Sequence, residues 1–307
     1  MPILSHIFAL VKFVNENQYS KVSSLIRLAE DPDPNVFIHV KDELVRMGDG
    51  VVPTLERSWS NHETDTDHRE RIFEIIRQIQ VNEIKADLEK WRGSSNRDLL
   101  KGSLIISKFQ FPNVDYEEVD AELEKIKQMV WLEINEEHTA FEIVKIFNHV
   151  LFDLCGFQSS ENNFYTPQNS FINTVLQSKK GNQLSLSILY SVIAQKLQIP
   201  IYGIDLPNHF VLGFMDEFST LKMLGLDQDE RNILFYINPF SKGRIFDQNE
   251  IQNYLRSLNL PLQDNYFEPC SNSEILKRMI GNLSYAYQKV GETQKVSDLK
   301  EIGLILG

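Results

Sequence analysis

The chain has 307 residues, with 31 Lys and Arg against 43 Asp and Glu, a formal net charge of −12 at pH 7. That charge argues against nonspecific binding to nucleic acid or to an anionic membrane surface, because both depend on a positive field. With 42% hydrophobic and 24% charged residues the composition is that of a globular protein, long enough for two to three domains. Two cysteines, Cys155 and Cys270, are too few for a disulfide framework and fit a reducing, cytoplasmic setting.

The start, Met1 to Val14, is apolar in places but lacks a basic leading region and carries His6 and Lys12, so it does not read as a signal peptide. The most apolar stretch, Leu184 to Leu197, is broken by Ser185, Ser187, Ser191, Gln195 and Lys196, and no membrane span is expected. The first ninety residues place apolar side chains at three- and four-residue steps: Val22, Leu25, Ile26, Ala29; Val36, Phe37, Val40, Leu44; Ile72, Ile75, Ile76, Ile79. These read as short helices. Asp31-Pro-Asp-Pro-Asn35 stops one and caps the next, Gly48 and Gly50 close the second, and Pro53 opens a third. The stretch from Ala29 to Leu55 resembles a HEAT-like helical repeat, with no clean second copy.

Arg92-Gly-Ser-Ser-Asn-Arg97 is a polar break. Helices are predicted over Asp98–Phe109, over the acidic stretch Tyr116–Asn135, and over His138–Cys155, which Gly156 ends. Gln158–Gln168 reads as a loop, Asn169–Leu176 as a short helix, Lys179–Asn182 as a turn and Leu184–Leu197 as an apolar helix. The period then changes to that of strands over Ile201–Leu206, His209–Phe214 and Asn232–Asn238, which predicts an antiparallel sheet. A helix over Gln248–Leu258, a linker over Pro261–Pro269 and two helices, Ser271–Gly291 and Thr293–Leu304, complete the chain. The last two are expected to form a terminal hairpin.

The run Asn169-Ser-Phe-Ile-Asn173, Gly181, Leu184-Ser-Leu-Ser187, Ile199-Pro200, Gly203, Leu206-Pro-Asn-His-Phe210 and Tyr236-Ile-Asn-Pro-Phe240 resembles the SirB-type transglutaminase-like family. The likeness extends more loosely from Asp98 to Asp247, and the terminal hairpin is similar to a tetratricopeptide-like unit. The resemblance implies a core with a Cys at a helix N-terminus, a His on the next strand and an Asp or Asn on the strand after. The helix N-terminus and an imidazolium favour thiolate, and the third residue fixes the imidazole tautomer.

Carried onto this chain, the resemblance puts His209 at the histidine position and Asn238 at the orienting position, but Gln183 where the Cys belongs. Gln183 offers no nucleophile. Ser185, or Ser187, is the alternative nucleophile in the first helical turn, against the plainer reading that a serine there only satisfies free amides. Cys155 is expected to be a buried structural thiol at a helix C-terminus, and Cys270 an incidental surface thiol in a linker, beside the capping-box spacing Ser271–Glu274. Tyr190, Tyr202 and Phe210 are expected to pack around the site. His62-Glu-Thr-Asp-Thr-Asp-His68 gathers metal-ligand types without metal spacing and reads as a solvated loop; the acidic run from Asp115 to Glu124 reads as a wet helix face.

The expected architecture is α+β: a HEAT-like helical domain over 1–92, a transglutaminase-like domain with a small antiparallel sheet over 93–265 and a helical hairpin over 266–307. The leading functional expectation is a noncatalytic regulatory or adaptor protein that binds a protein or peptide. An acyl-transfer hydrolase or transamidase using His209 and Asn238 is the alternative, and a purely structural domain the plainest one. No cofactor, metal, nucleic acid or membrane partner is expected.

Overall fold

The structure, a computed structural model, describes residues 20–60, 66–160, 166–216 and 232–307. The chain divides into two compact units, Met1–Ala86 and Asp87–Gly307. In the first, helix α1 (20–28), α2 (Pro34–Met47), α3 (Val52–Trp59) and the start of α4 (Thr66–Gly93) share one apolar core. Val22, Ile26, Val40, Leu44, Leu55, Ile72, Ile75 and Ile79 fill it, at the helical spacing the sequence displays. Asp33 caps α2 by accepting from the Asn35 N–H, with Pro34 in the first turn, where its missing N–H costs nothing. The Arg71 guanidinium donates to the carbonyls of Ala29 (2.8 Å) and Asp31 (2.6 Å), satisfying acceptors beyond the end of α1.

Of the stretch expected to be a solvated loop, 62–65 lies outside the described residues. His68 departs from that expectation: it is buried in the first turns of α4, with Nε2 3.3 Å from the Ser58 hydroxyl. Among the described residues no group of three or more His, Cys, Asp or Glu side chains is placed to hold a metal ion, and no helix is long and apolar enough to cross a membrane.

The second unit carries the mixed architecture. Its helices are α5 (Leu99–Ser107), α6 (Tyr116–Glu133), α7 (Ala140–Asn148), α8 (Ile172–Ser178), α9 (Gln183–Lys196), α10 (Gln248–Ser257), α11 (Asn272–Lys289) and α12 (Thr293–Gly303). The helix expected over His138–Cys155 is α7 followed by a π-helical turn, His149–Leu154, so the chain keeps turning but widens before Gly156, whose φ is +72°. Two short strands, β1 (Gln158–Ser159) and β2 (Lys180–Gly181), pair in parallel where the sequence suggests only a loop and a turn.

The main sheet has the order β3 (Ile201–Leu206), β4 (His209–Met215), β5 (Ile233–Asn238), β6 (Arg244–Phe246), all antiparallel. Strand β6 is too short to show a period of two, and the sequence reading passes over it. The interior of β4, from Phe210 to Phe214, is buried, and α9 packs against β3 and β4. Ile204, Leu206, Val211 and Tyr236 of the sheet share a cluster with Ile251 and Leu255 of α10 and with Phe267. Helix α9 is buried from Leu184 through Ala194, which explains why its sequence shows little amphipathic rhythm. Helices α11 and α12 pack on each other, and Tyr287 of α11 donates to Gln110 Oε1 at 2.7 Å.

Candidate functional site

The site forms at the turn between β3 and β4. Pro207 and Asn208 occupy the two central positions, and Asn208 has φ +57°, the pattern of a type II turn with Pro first and a left-handed Asn second. His209 opens β4 opposite Leu206. Two side chains from outside the sheet hold this turn by its carbonyls: Tyr254 of α10 donates to Pro207 O at 2.7 Å, and Arg278 of α11 donates to Leu206 O at 3.3 Å. Arg278 also lies 3.1 Å from Asp205 Oδ1, and the Tyr254 ring stands 5.8 Å from the imidazole, tilted by 52°.

Asn238 ends β5 and is buried. Its Oδ1 accepts from the Phe240 N–H at 3.1 Å, capping the short 3₁₀ turn Pro239–Ser241, so its Nδ2 is the atom that faces His209 Nε2 at 3.4 Å. An amide nitrogen only donates, which makes Nε2 the acceptor and places the proton of the neutral imidazole on Nδ1. Burial, and then the Arg278 cation, hold the His209 pKa below its ordinary value, in accord with a neutral ring. In a hydrolytic triad the third residue accepts from the histidine and leaves the other nitrogen free to act as base. The polarity here is the reverse.

His209 and Asn238 are therefore brought within 3.4 Å of each other. Gln183 is the first residue of α9, behind the cap Asn182. Ser185 completes a capping box: its N–H donates to Asn182 Oδ1 at 2.9 Å, and its Oγ accepts from the Asn182 N–H at 2.9 Å. The Ser185 hydroxyl proton goes to Asn169 O at 2.6 Å, and the residue is buried. That hydroxyl is fully engaged in holding the helix start. Ser187 is buried as well.

Neither cysteine supplies a reactive thiol. Cys155 is partly buried, and burial raises its pKa. Cys270 is not the linker surface residue that the sequence suggests. Its N–H donates to Gly203 O of β3 at 2.8 Å, and its Sγ lies 3.1 Å from where a Cβ on Gly203 would stand. Burial first, and then the carboxylates of Asp205 and Glu274, push this thiol up to about 12, so it stays protonated. The polar cap of Ser271 on α11 is present as the spacing predicts, but it does not offset that desolvation.

Of the aromatics expected around the site, Phe210 and Tyr190 are buried, and Tyr190 stacks on Phe147 with ring centroids 4.9 Å apart. Tyr202 departs from the expectation: it is exposed on the edge strand β3. The residues that sequence reasoning misses are Tyr254 and Arg278. Both lie outside the resemblance's motif runs, on helices far along the chain, and nothing in their local sequence sets them apart.

The sequence profile of the Transglutaminase-like superfamily matches residues 117–281, more than half of the chain. A UPF0162 protein of Xylella fastidiosa (strain 9a5c) is 25% identical over 195 residues, which cover 62% of this chain and 64% of that one. A UPF0162 protein of Vibrio cholerae is 28% identical over 192 residues, 62% of this chain and 66% of that one. The F-box only protein 21 of Homo sapiens is 23% identical over 259 residues, 76% of this chain but 39% of that one. The matched stretch thus spans under two thirds of each of these relatives. No solved structure matches the chain.

Proposed function

The chain belongs to the transglutaminase-like superfamily, and from that premise we propose that it is a noncatalytic member, a regulatory or adaptor protein whose His209 face and helical flanks bind a protein or peptide. The observation that carries this reading is the direction of the Asn238–His209 contact: the amide nitrogen donates to Nε2, so the other imidazole nitrogen, the one a nucleophile would need as base, carries the proton. Gln183, the first residue of α9 and the residue that the family resemblance sets at the Cys position, and a Ser185 hydroxyl committed to its capping box support it further. A fold by itself fixes no chemistry, so the reading rests on these side chains and not on membership. The helical hairpin, α11 with α12, and the N-terminal helices are of a type that presents binding surfaces.

Two assays test it. The purified chain is given a glutamine-donor peptide with a primary-amine acceptor and, separately, an activated ester. No turnover that His209→Ala removes is expected, and turnover lost in both His209→Ala and Ser185→Ala would establish acyl transfer instead. A random-peptide display selection is expected to return ligands whose binding falls on substitution of His209 or of flanking helix residues. Ligands indifferent to every such change would overturn the proposal.

A further inference from the structure

We propose that Trp131 and Leu132, at the end of α6, are the apolar anchor of a docking site for a basic amphipathic protein segment. The site uses no residue of the His209 face, so it stands or falls separately from the reading above. Trp131 is 63% exposed and Leu132 75% exposed, side by side on one helix end. Large neighbouring apolar side chains left in water mark an interaction surface more often than isolated ones do, and tryptophan is prominent among interface anchors. They border a groove of about 550 Å³ whose walls are Lys127, Gln128, Trp131 and Leu132 from α6 with Lys196 and Leu197 at the end of α9.

The charges that follow the apolar pair along the chain select the partner. The groove's two lysines are already compensated: Lys196 Nζ lies 2.7 Å from both Asp120 and Glu124, and Lys127 lies 3.2 Å from Glu124. Immediately after the apolar pair come Glu133, Glu136 and Glu137, all exposed and without an ion pair among the described residues. The turn that presents them is held by Asn135, whose Oδ1 accepts from Glu137 N–H at 2.9 Å while its own N–H donates to His138 Nδ1 at 3.0 Å. The C-terminal ends of α6 and α9 both border the groove, and the partial negative charge there favours a cation as well. The complement is an apolar side chain flanked by Lys or Arg, as on one face of a basic amphipathic helix. A second copy of this chain fits poorly, because like patches would bring the same three carboxylates together.

The test uses the full chain and a fluorescent 18-residue helical peptide of Leu and Lys, with a Leu and Glu peptide of the same pattern as its control. Anisotropy titration is expected to show the Leu/Lys peptide binding and the Leu/Glu peptide not. Trp131→Ala/Leu132→Ala and, independently, Glu133→Lys/Glu136→Lys/Glu137→Lys should each weaken binding by about tenfold or more, with unchanged circular dichroism, whereas Leu262→Ser, at another exposed leucine, should leave it within about twofold. Absence of binding, equal binding of the Leu/Glu peptide, or affinity indifferent to both sets of variants would overturn the proposal. So would a concentration-dependent dimer in sedimentation that Trp131→Ala/Leu132→Ala dissolves, since a second copy would then be the occupant.

Discussion

Asn238 turns its amide nitrogen, not its oxygen, toward His209: Oδ1 is held by the Phe240 N–H at 3.1 Å, and Nδ2 stands 3.4 Å from Nε2. The 3₁₀ turn after β5 thereby decides which ring nitrogen of a residue on another strand carries the proton. A carboxylate in the same place could accept from Phe240 with one oxygen and from His209 with the other. An amide cannot do both.

The substitution Asn238→Asp should therefore raise the His209 pKa by about 1–3, because a carboxylate within a few ångströms favours imidazolium. Two-dimensional NMR of the imidazole across pH reads this directly. An unchanged titration would show that the Nδ2 contact does not govern the ring.

The stability of the wild-type chain should carry the imprint of the same group. His209 has a folded pKa below its ordinary 6.5, so the unfolded chain binds the proton more readily. Stability contributed by the neutral ring is present above about pH 6.5 and is lost as pH falls through the lower folded value. Denaturant unfolding between pH 7.5 and 5 should show that decline, and His209→Gln should flatten it. An equal slope in both proteins would assign the decline to other groups.

Ser185→Ala should destabilise the fold by about 1–2 kcal/mol, the cost of removing the N3 half of the capping box and the hydroxyl's hydrogen bond to the Asn169 carbonyl. Urea unfolding monitors it. A neutral result would mean that Ser185 does not hold the start of α9.

Gln183→Cys returns a thiol to the first position of α9, where the helix dipole lowers its pKa. Alkylation by iodoacetamide at pH 7 should be faster there than at Cys270, whose thiol stays protonated to about 12. Ester turnover is still not expected, since the Asn238 amide donates to His209 Nε2 and leaves the proton on Nδ1, the nitrogen that would have to act as base. Turnover in Gln183→Cys that His209→Ala abolishes would show that this engagement gives way.

Much of this protein is legible in its sequence because the determinants are local. Pro207-Asn208 writes a type II turn, Ser271-Asn-Ser-Glu274 a capping box, and the three-and-four spacing of Val40 and Leu44 a buried helical stripe; each acts within a few residues of itself. That His209 and Asn238 belong together is what the resemblance to the transglutaminase-like family implies, through the motif around each. Strand β6 is too short to display a period, the π-helical turn at His149–Leu154 follows a run whose spacing is plainly α-helical, and β1 pairs with β2 only because the fold brings them side by side.

What tertiary structure alone decides is the electrostatics of the site. Arg278 reaches Asp205 and Leu206 from a helix at the far end of the chain, Tyr254 reaches Pro207 from another, and Cys270 packs, half-buried, against Gly203. Sequence determines which groups exist and how each short segment folds, since hydrogen bonds along one helix or turn are short-range. A pKa or a free lone pair depends on dielectric and on charges a few ångströms away through space, and those neighbours are chosen by packing between segments that are remote along the chain.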